Sequence, residues 1–146
     1  MGMKVRYVML LVVMLLSSAV KALEKSPGKQ DTIIVPQVDV VPQFKGGVSA
    51  WNRFLQNRMN ISELVGSMDS TAYVTYGTRQ TAVLEFTVCE DGEVCDVVVL
   101  NRDKISPIFE KEVLRVMSRS PKWEAATKDG KPVRTKFKQT IMAILD

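Results

Sequence analysis

The sequence contains no histidine, and this absence excludes several classes of catalytic chemistry. Nucleophilic triads built on serine or cysteine need an imidazole to accept and return a proton near neutral pH. Histidine-rich zinc sites are excluded for the same reason, and the two cysteines cannot complete a tetrahedral structural site alone. No pair of carboxylates stands in an apolar setting that would separate their pKa values. We therefore expect a protein that is not an enzyme and that binds no metal, cofactor or small-molecule substrate.

The chain also lacks an apolar run of the roughly 20 residues that a membrane-spanning helix needs. Residues 7–16 form a shorter unbroken run, which follows the basic residues Lys4 and Arg6 and precedes a small-residue pattern ending in Ala22. This order is typical of a secretory leader. The sequence predicts a signal peptide over residues 1–22, cleaved after Ala22, and hence an exported protein. An uncleaved inner-membrane anchor is the alternative.

Little net charge remains once this leader is removed. The whole chain has 20 Lys and Arg against 16 Asp and Glu, but Lys4, Arg6 and Lys21 belong to the leader, which contains no acid. The mature chain would have 17 cations against 16 anions, so a nucleic-acid partner is not expected. The remaining length fits a polar linker over residues 23–32 and one small domain over residues 33–146.

The clearest strand pattern lies in the middle of the chain. Residues 82–88 alternate apolar and polar positions, which predicts a strand with one buried face. Asp91-Gly92 predicts a tight turn, because glycine adopts positive φ without a Cβ clash. Val94 to Leu100 form an almost continuous apolar run, which favours a more central strand.

Cys89 and Cys95 flank this turn, and their relation depends on the length of the loop. A two-residue loop at Asp91-Gly92 places the cysteines on opposite faces of the hairpin, where they cannot form a bridge. A loop of three or four residues can change that parity. Export to an oxidising compartment favours pairing. A hairpin disulfide, two free packing thiols and thiol redox chemistry all stay open.

Two amphipathic helices are predicted on either side of the hairpin. The first follows Gly46-Gly47 and has apolar residues three or four apart, namely Val48, Trp51, Phe54, Leu55 and Met59. The second begins with the capping residue Ser106 followed by Pro107, and its apolar face consists of Phe109, Val113, Val116 and Met117. We expect both tryptophans, at positions 51 and 123, to be core anchors. Residues 67–79 are interpreted as a short additional strand.

The final strand carries a row of cations on one face. After a turn at Asp129-Gly130, the apolar-face positions Val133, Thr135 and Phe137 alternate with Arg134, Lys136 and Lys138. We interpret the cationic row as a solvated face that also protects against edge-to-edge aggregation. The order of arm, helix, hairpin, helix and strand predicts a small α+β domain. It would have two layers, with two helices packed on one face of an antiparallel sheet.

Three segments in fixed order resemble the C-terminal domain of TonB-type energy transducers, in the form common among Bacteroidetes-like proteins. They are Pro42-x-Phe44-x-Gly46-Gly47, then Val88-x-x-Asp91-Gly92-x-Val94-x-Asp96-Val97-x-Val99, then Pro121-x-Trp123 followed by Gly130-Lys131-Pro132-Val133. The resemblance implies a periplasmic binding domain. It also implies the predicted α+β fold and no catalytic activity.

The resemblance further implies how the domain binds. In that family an N-terminal segment of an outer-membrane receptor is added as a strand to an exposed sheet edge. Here that edge would be formed by Thr135, Phe137, Lys138, Gln139, Thr140, Ile141 and Ile144. The partner would be a TonB-dependent receptor of the outer membrane or another envelope protein, and the binding would serve TonB-dependent transport. A homodimer is a further arrangement that the sequence leaves open.

The chain departs from the family pattern in two places. Asn60-Ile61-Ser62-Glu63 stands where a Tyr-Pro pair is usual, and no long proline-rich spacer precedes the domain. These departures favour an alternative function, that of a stand-alone envelope scaffold or cell-wall-associated binding protein without energy transduction.

Overall fold

The computed structural model describes residues 37–146, so the predicted signal peptide over residues 1–22 and linker over residues 23–32 lie outside the described part. A 3-10 turn at Arg102–Lys104 follows the second strand. The other elements, in chain order, are α1 (Gly47–Arg58), α2 (Ile61–Ser67), α3 (Ser70–Tyr76), β1 (Arg79–Val88), β2 (Val94–Val99), α4 (Pro107–Met117), β3 (Ala126–Lys128), β4 (Lys131–Val133) and β5 (Thr135–Ile144).

The main sheet is antiparallel, with β1 between β2 and β5. Its predicted apolar face is confirmed, because Ala82, Leu84, Phe86 and Val88 are all fully buried. Helix α4 packs on β1 and β2, and α2 packs on α4. The α+β fold class is therefore confirmed, with two more short helices than expected.

The prediction that β2 is a central strand is wrong, because β2 has a neighbour on one side only within the described residues. Val98 and Leu100 are 48% and 47% exposed. An apolar run does not distinguish an edge strand with a partly exposed outer face from a buried one. Strand β2 is also irregular. Glu85 pairs with Val98 and Thr87 with Cys95, so Asp96 and Val97 together lie opposite one residue of β1 in a β-bulge.

The hairpin loop contains three residues, which is one of the loop lengths that the sequence left open. Cys89 N donates to Glu93 O at 2.9 Å, and Gly92 N donates to Cys89 O at 2.9 Å. The loop therefore consists of residues 90–92, with Gly92 at φ 84°. This register places Cys89 and Cys95 on the same face of the hairpin. The structure pairs their sulfurs as a disulfide.

Helix α4 follows the sequence pattern closely. Ser106 Oγ accepts a hydrogen bond from Phe109 N at 3.3 Å, and Pro107 occupies the first helical position. These features fix the N-terminus, since the first N–H groups of a helix have no partner within it. The predicted apolar face is confirmed, because the buried residues are Phe109, Val113, Val116 and Met117.

Helix α1 matches its predicted apolar face except at one position. Trp51 is 3% exposed, and Phe54, Leu55 and Met59 are partly buried against the core. Val48 is wrongly predicted, because it is 76% exposed. It lies in the first turn of α1, at the rim of a surface cleft. The periodicity identifies which side of a helix is apolar but does not reveal where the packed neighbours end.

Residues 61–76 form helices α2 and α3, so the additional strand predicted over residues 67–79 is wrong as far as Tyr76. Each helix begins at a side-chain cap. Asn60 Oδ1 accepts from Glu63 N at 3.2 Å, and Asp69 Oδ1 accepts from Ala72 N at 2.8 Å. The apolar residues Leu64 and Met68 face the core at 2% and 8% exposure. Asn60 and Asp69 are both residue types that favour helix N-termini, so they could have predicted these two helices from the sequence.

We predict that Gly92→Ala destabilises the domain by about 2 to 4 kcal/mol, because a Cβ at this position would lie 2.1 Å from the carbonyl oxygen of Trp123. The backbone there is also at φ 84°, which a side chain disfavours. Gly66→Ala is the matched control, since nothing lies within 4 Å of that Cβ inside α2. The control should gain about 0.5 to 1 kcal/mol. Urea unfolding measures both, and an unchanged midpoint for Gly92→Ala would contradict the contact.

A second prediction concerns the two thiols. The denatured, unreduced mature protein should take up no alkylating reagent, and it should take up two groups after reduction, because Cys89 and Cys95 are paired. Reduction of the disulfide opens the short loop that it closes, and this should lower the free energy of unfolding by about 2 kcal/mol. Mass spectrometry before and after reduction makes the measurement. Two alkylated cysteines without reduction would show that the thiols are free.

Candidate functional site

The seven residues predicted as partner contacts all lie on β5, which runs from Thr135 to Ile144. This strand pairs with β1 along its whole length, from Arg79 opposite Ile144 to Val88 opposite Thr135. No strand pairs with its other side within residues 37–146. Strand β5 is therefore an open and uninterrupted edge of the sheet.

The ladder shows which backbone groups of β5 point outward. Leu145 N donates to Thr78 O at 2.8 Å, which makes this a hydrogen-bonded pair. Such pairs alternate along an antiparallel ladder, so every second residue of β5 directs its N–H and C=O away from β1. The outward-directed residues are Lys136, Lys138, Thr140, Met142 and Ile144.

Only three of the seven predicted contacts direct their backbone to the open edge, namely Lys138, Thr140 and Ile144. The other four direct their backbone N–H and C=O groups toward β1, and they are Thr135, Phe137, Gln139 and Ile141. The prediction omitted Lys136 and Met142, which have the same orientation as the first three. The period of two along the strand was the signal that could have separated the two sets.

The two faces of β5 differ in character. On the core side, Thr135 and Ile141 are buried, and Phe137 and Gln139 are half-buried. On the opposite face Lys136, Lys138 and Thr140 are exposed, followed by Met142 and Ile144 at 57% and 47% exposure. The open edge therefore has a cationic half and an apolar half on its solvent face.

Two lysines of that face share one carboxylate. Lys136 Nζ lies 3.1 Å from Glu85 Oε1, and Lys138 Nζ lies 3.9 Å from Glu85 Oε2. Both lysine side chains are more than half exposed, so each pair contributes little to stability. One negative charge cannot balance two positive ones, so this part of the edge keeps a net positive charge.

An aromatic cluster lies on the core side of the same edge. Its rings belong to Phe44, Trp51, Phe54, Phe86, Trp123 and Phe137. The ring centroids of Trp51 and Trp123 lie 5.4 Å apart, and those of Trp123 and Phe137 lie 5.7 Å apart. Trp51 and Trp123 are only 3% and 6% exposed, which confirms them as core anchors.

A cleft of about 100 Å³ opens from this cluster beside β5, and we call it the edge cleft. It is lined by Pro42, Gln43, Phe44, Gly47, Val48, Trp51, Trp123, Phe137 and Gln139. The segment before α1 forms one wall and is held by its backbone, since Gln43 N donates to Glu124 O at 3.1 Å and Glu124 N to Gln43 O at 2.8 Å. This wall corresponds to the extended arm expected before the first helix.

The other open edge of the sheet, on β2, is interrupted. The bulge at Asp96 and Val97 breaks its register, and Asp96 has φ 54°. Arg134 Nη2 also binds Asp96 Oδ2 at 3.2 Å. A bulge and charged side chains are typical protections of a strand edge against pairing. Of the two edges, β5 is the regular one.

A second cleft lies between α2 and α4, and two of its charged residues, Glu112 and Arg115, bind one another. Arg115 Nε donates to Glu112 Oε2 at 2.6 Å, and Arg115 Nη2 donates to Arg58 O at 2.6 Å. Glu112 Oε1 also accepts from Asn60 N at 2.7 Å. The hydrogen bond from Arg115 is the main reason that the pKa of Glu112 is lowered, and the Asn60 N–H adds to it. The pair therefore connects α4 to the loop between α1 and α2.

Residues 37–146 contain no group of three or more His, Cys, Asp or Glu side chains placed to hold a metal ion. None of the helices described here has the length and apolar character to cross a membrane.

Comparisons with known proteins place the edge strand within a family. A comparison with curated proteins found no match. The family model described as Gram-negative bacterial TonB protein C-terminal matches residues 77–142, which include β1, the hairpin, α4 and most of β5. This family is periplasmic or envelope-associated and acts in transport and protein interaction without catalysis. Residues 77–142, and with them most of the open edge of β5, belong to the TonB C-terminal domain family.

Proposed function

We propose that this protein is a periplasmic binding module that adds an extended segment of a partner to β5 as a further strand. The observation that carries the proposal is the open edge of ten residues in regular register. TonB C-terminal domains interact in general with outer-membrane receptors. The proposed partner is therefore an outer-membrane TonB-dependent receptor, and the proposed role is in TonB-dependent transport.

The hydrogen bonds available at this edge suit recognition of a backbone. Five residues of β5 direct both an N–H and a C=O away from β1, from Lys136 to Ile144. In a strand-addition complex these groups supply affinity that does not depend on the partner's sequence. Each hydrogen bond contributes about 0.5 to 1.5 kcal/mol net, because the free edge already bonds to water. A segment of five or more residues can thus be held by main-chain pairing.

The alternative is an envelope scaffold or cell-wall-associated binding protein without energy transduction. One observation favours it. The segment from Asn60, which departs from the family pattern, forms the short helices α2 and α3, and α2 packs on α4. Because α2 and α3 give this surface a shape that differs from the family pattern, it suits a different partner. The β5 edge would still bind by strand addition. A receptor-derived peptide distinguishes the two functions, because only the transport role requires that it bind.

Export by a cleaved leader is part of the proposal and gives its own prediction. The mature protein should begin at or near Leu23 and fractionate with soluble periplasmic material, because the basic residues, the short apolar run and the Ala22 site match the pattern of a secretory leader. Intact-mass measurement on the periplasmic fraction tests this. Recovery of the uncleaved chain in the membrane fraction would instead indicate an inner-membrane anchor.

Strand addition predicts that binding depends on an outward N–H of β5. Thr140→Pro removes one such donor and leaves the ladder with β1 intact, so it should weaken binding at least tenfold. Thr140→Ser keeps the N–H and should change affinity less than twofold. The probe is a synthetic peptide of the N-terminal periplasmic segment of a TonB-dependent receptor from the same organism, titrated by calorimetry.

The control for this experiment separates backbone from charge recognition. A variant with Lys136→Gln and Lys138→Gln keeps every backbone group and should retain most of the affinity at high salt. Circular dichroism must first show that each variant is folded. Unchanged affinity of folded Thr140→Pro would eliminate strand addition at this edge, and complete loss of binding in the double glutamine variant would indicate that the lysines are the contacts.

A further inference from the structure

We infer that the edge cleft selects the partner by admitting one branched aliphatic side chain of the added strand, between neighbours that carry carboxylates. This inference rests on the proposed strand addition and states which segments the edge prefers. Two observations together support this inference. An apolar cleft lies on one side of β5, and a net positive charge lies on the other side at the same level of the strand.

The position of the cleft follows from the alternation of β5. Phe137 and Gln139 both line the cleft, and both point to the core side of the sheet. A strand added next to β5 would place every second side chain on that side. The side chain that lies beside Phe137 and Gln139 would therefore enter the cleft, between the arm at Pro42 and the first turn of α1 at Val48.

The size and lining of the cleft define the side chain that it can hold. Its volume of about 100 Å³ compares with roughly 30 Å³ for a water molecule in the liquid, so it has room for about three water-sized groups. The aromatic residues Phe44, Trp51, Trp123 and Phe137 are among those that line it. A leucine, isoleucine or valine side chain matches this volume and character, whereas an indole or phenol ring is too large.

The solvent face of β5 determines which residues of the partner can stand on either side of the aliphatic one. The residues before and after the aliphatic one would point to the solvent face, beside Lys136 and Lys138. Among residues 37–146, the carboxylate that these lysines approach is that of Glu85, at 3.1 and 3.9 Å. Carboxylate side chains on the partner would complete the charge balance, and lysine or arginine side chains would be repelled. The preferred segment therefore has an aliphatic residue flanked by acidic ones.

The size preference is tested with two blocked seven-residue peptides, Thr-Thr-Glu-Leu-Glu-Thr-Thr and the same peptide with alanine at the centre. This pattern is the same in both directions, so the result does not depend on the orientation of the added strand. Trp51 and Trp123 line the cleft and supply a fluorescence signal on binding. The leucine peptide should bind about tenfold more tightly, because its additional methyl and methylene groups leave water.

Two matched valine variants locate that preference in the cleft. Val48→Phe places a larger side chain at the rim and should reduce the leucine-to-alanine ratio to about one, with the alanine peptide unaffected. Val74→Phe makes the same change on α3, at a residue that is 87% exposed and outside the cleft, and should leave the ratio at about ten. A ratio that Val48→Phe leaves unchanged would overturn the role of the cleft.

The charge preference is tested with a third peptide in which both glutamates are glutamine. At low ionic strength it should bind at least fivefold more weakly than the parent peptide, and the difference should vanish at 1 M salt, where screening acts within about 3 Å. The double variant Lys136→Gln and Lys138→Gln should remove the difference at low salt. Equal binding of the two peptides to the unmodified protein would overturn this part of the inference.

Thr140→Pro separates failure of this inference from failure of the proposed function. If it weakens the leucine and alanine peptides alike, while the two bind the unmodified protein equally, strand addition stands and selection by the cleft is wrong. If it changes neither affinity, the proposed strand addition fails. Absence of binding by every peptide at millimolar concentration would overturn both.

Discussion

The contacts of Trp123 hold together the parts of the molecule on which the edge depends. Its backbone N–H donates to Gly92 O at 2.8 Å, and its indole Nε1 donates to Ser120 Oγ at 2.9 Å. Its ring lies between 5.2 and 5.7 Å from four other aromatic rings, which are those of Phe44, Trp51, Phe86 and Phe137. Through its backbone and its ring, one residue thus connects the hairpin loop, the arm, α1, β1 and β5. Buried aromatic side chains contribute much of the stabilisation of a protein core.

This arrangement gives the β5 edge a fixed geometry before any partner binds. The strand is paired with β1 over ten residues, and the wall of the edge cleft is held by the reciprocal bonds between Gln43 and Glu124. A partner segment that is disordered when free must itself be ordered on binding, and that ordering costs free energy. Because the edge is already formed, the cost falls mainly on the partner. A preformed edge therefore suits the capture of a flexible segment.

The sequence predicted the parts of the fold that local rules determine. The alternation over residues 82–88 and the cap at Ser106 both identified their elements correctly. Errors arose where the outcome depends on neighbours in space. The apolar run of β2 could not reveal that its outer side is open. The length of the hairpin loop stayed open in the sequence, because it depends on the pairing of Cys89 with Glu93. The edge strand was predicted from resemblance, but the edge cleft was not, since its walls come from four separate segments.

Lys136 and Lys138 of β5 limit the unselective strand pairing to which an open sheet edge is prone. Backbone groups are the same in all proteins, so a regular edge of ten residues would accept any extended segment, including the β5 of another copy. If the β5 strands of two copies paired at Lys136 and Lys138, four ammonium groups would lie on one face of the joined sheet. The two Glu85 carboxylates would balance half of that charge. The same positive charge attracts an acidic segment. Charge thus restricts an otherwise unselective backbone edge, and the edge cleft adds a size requirement on the opposite face.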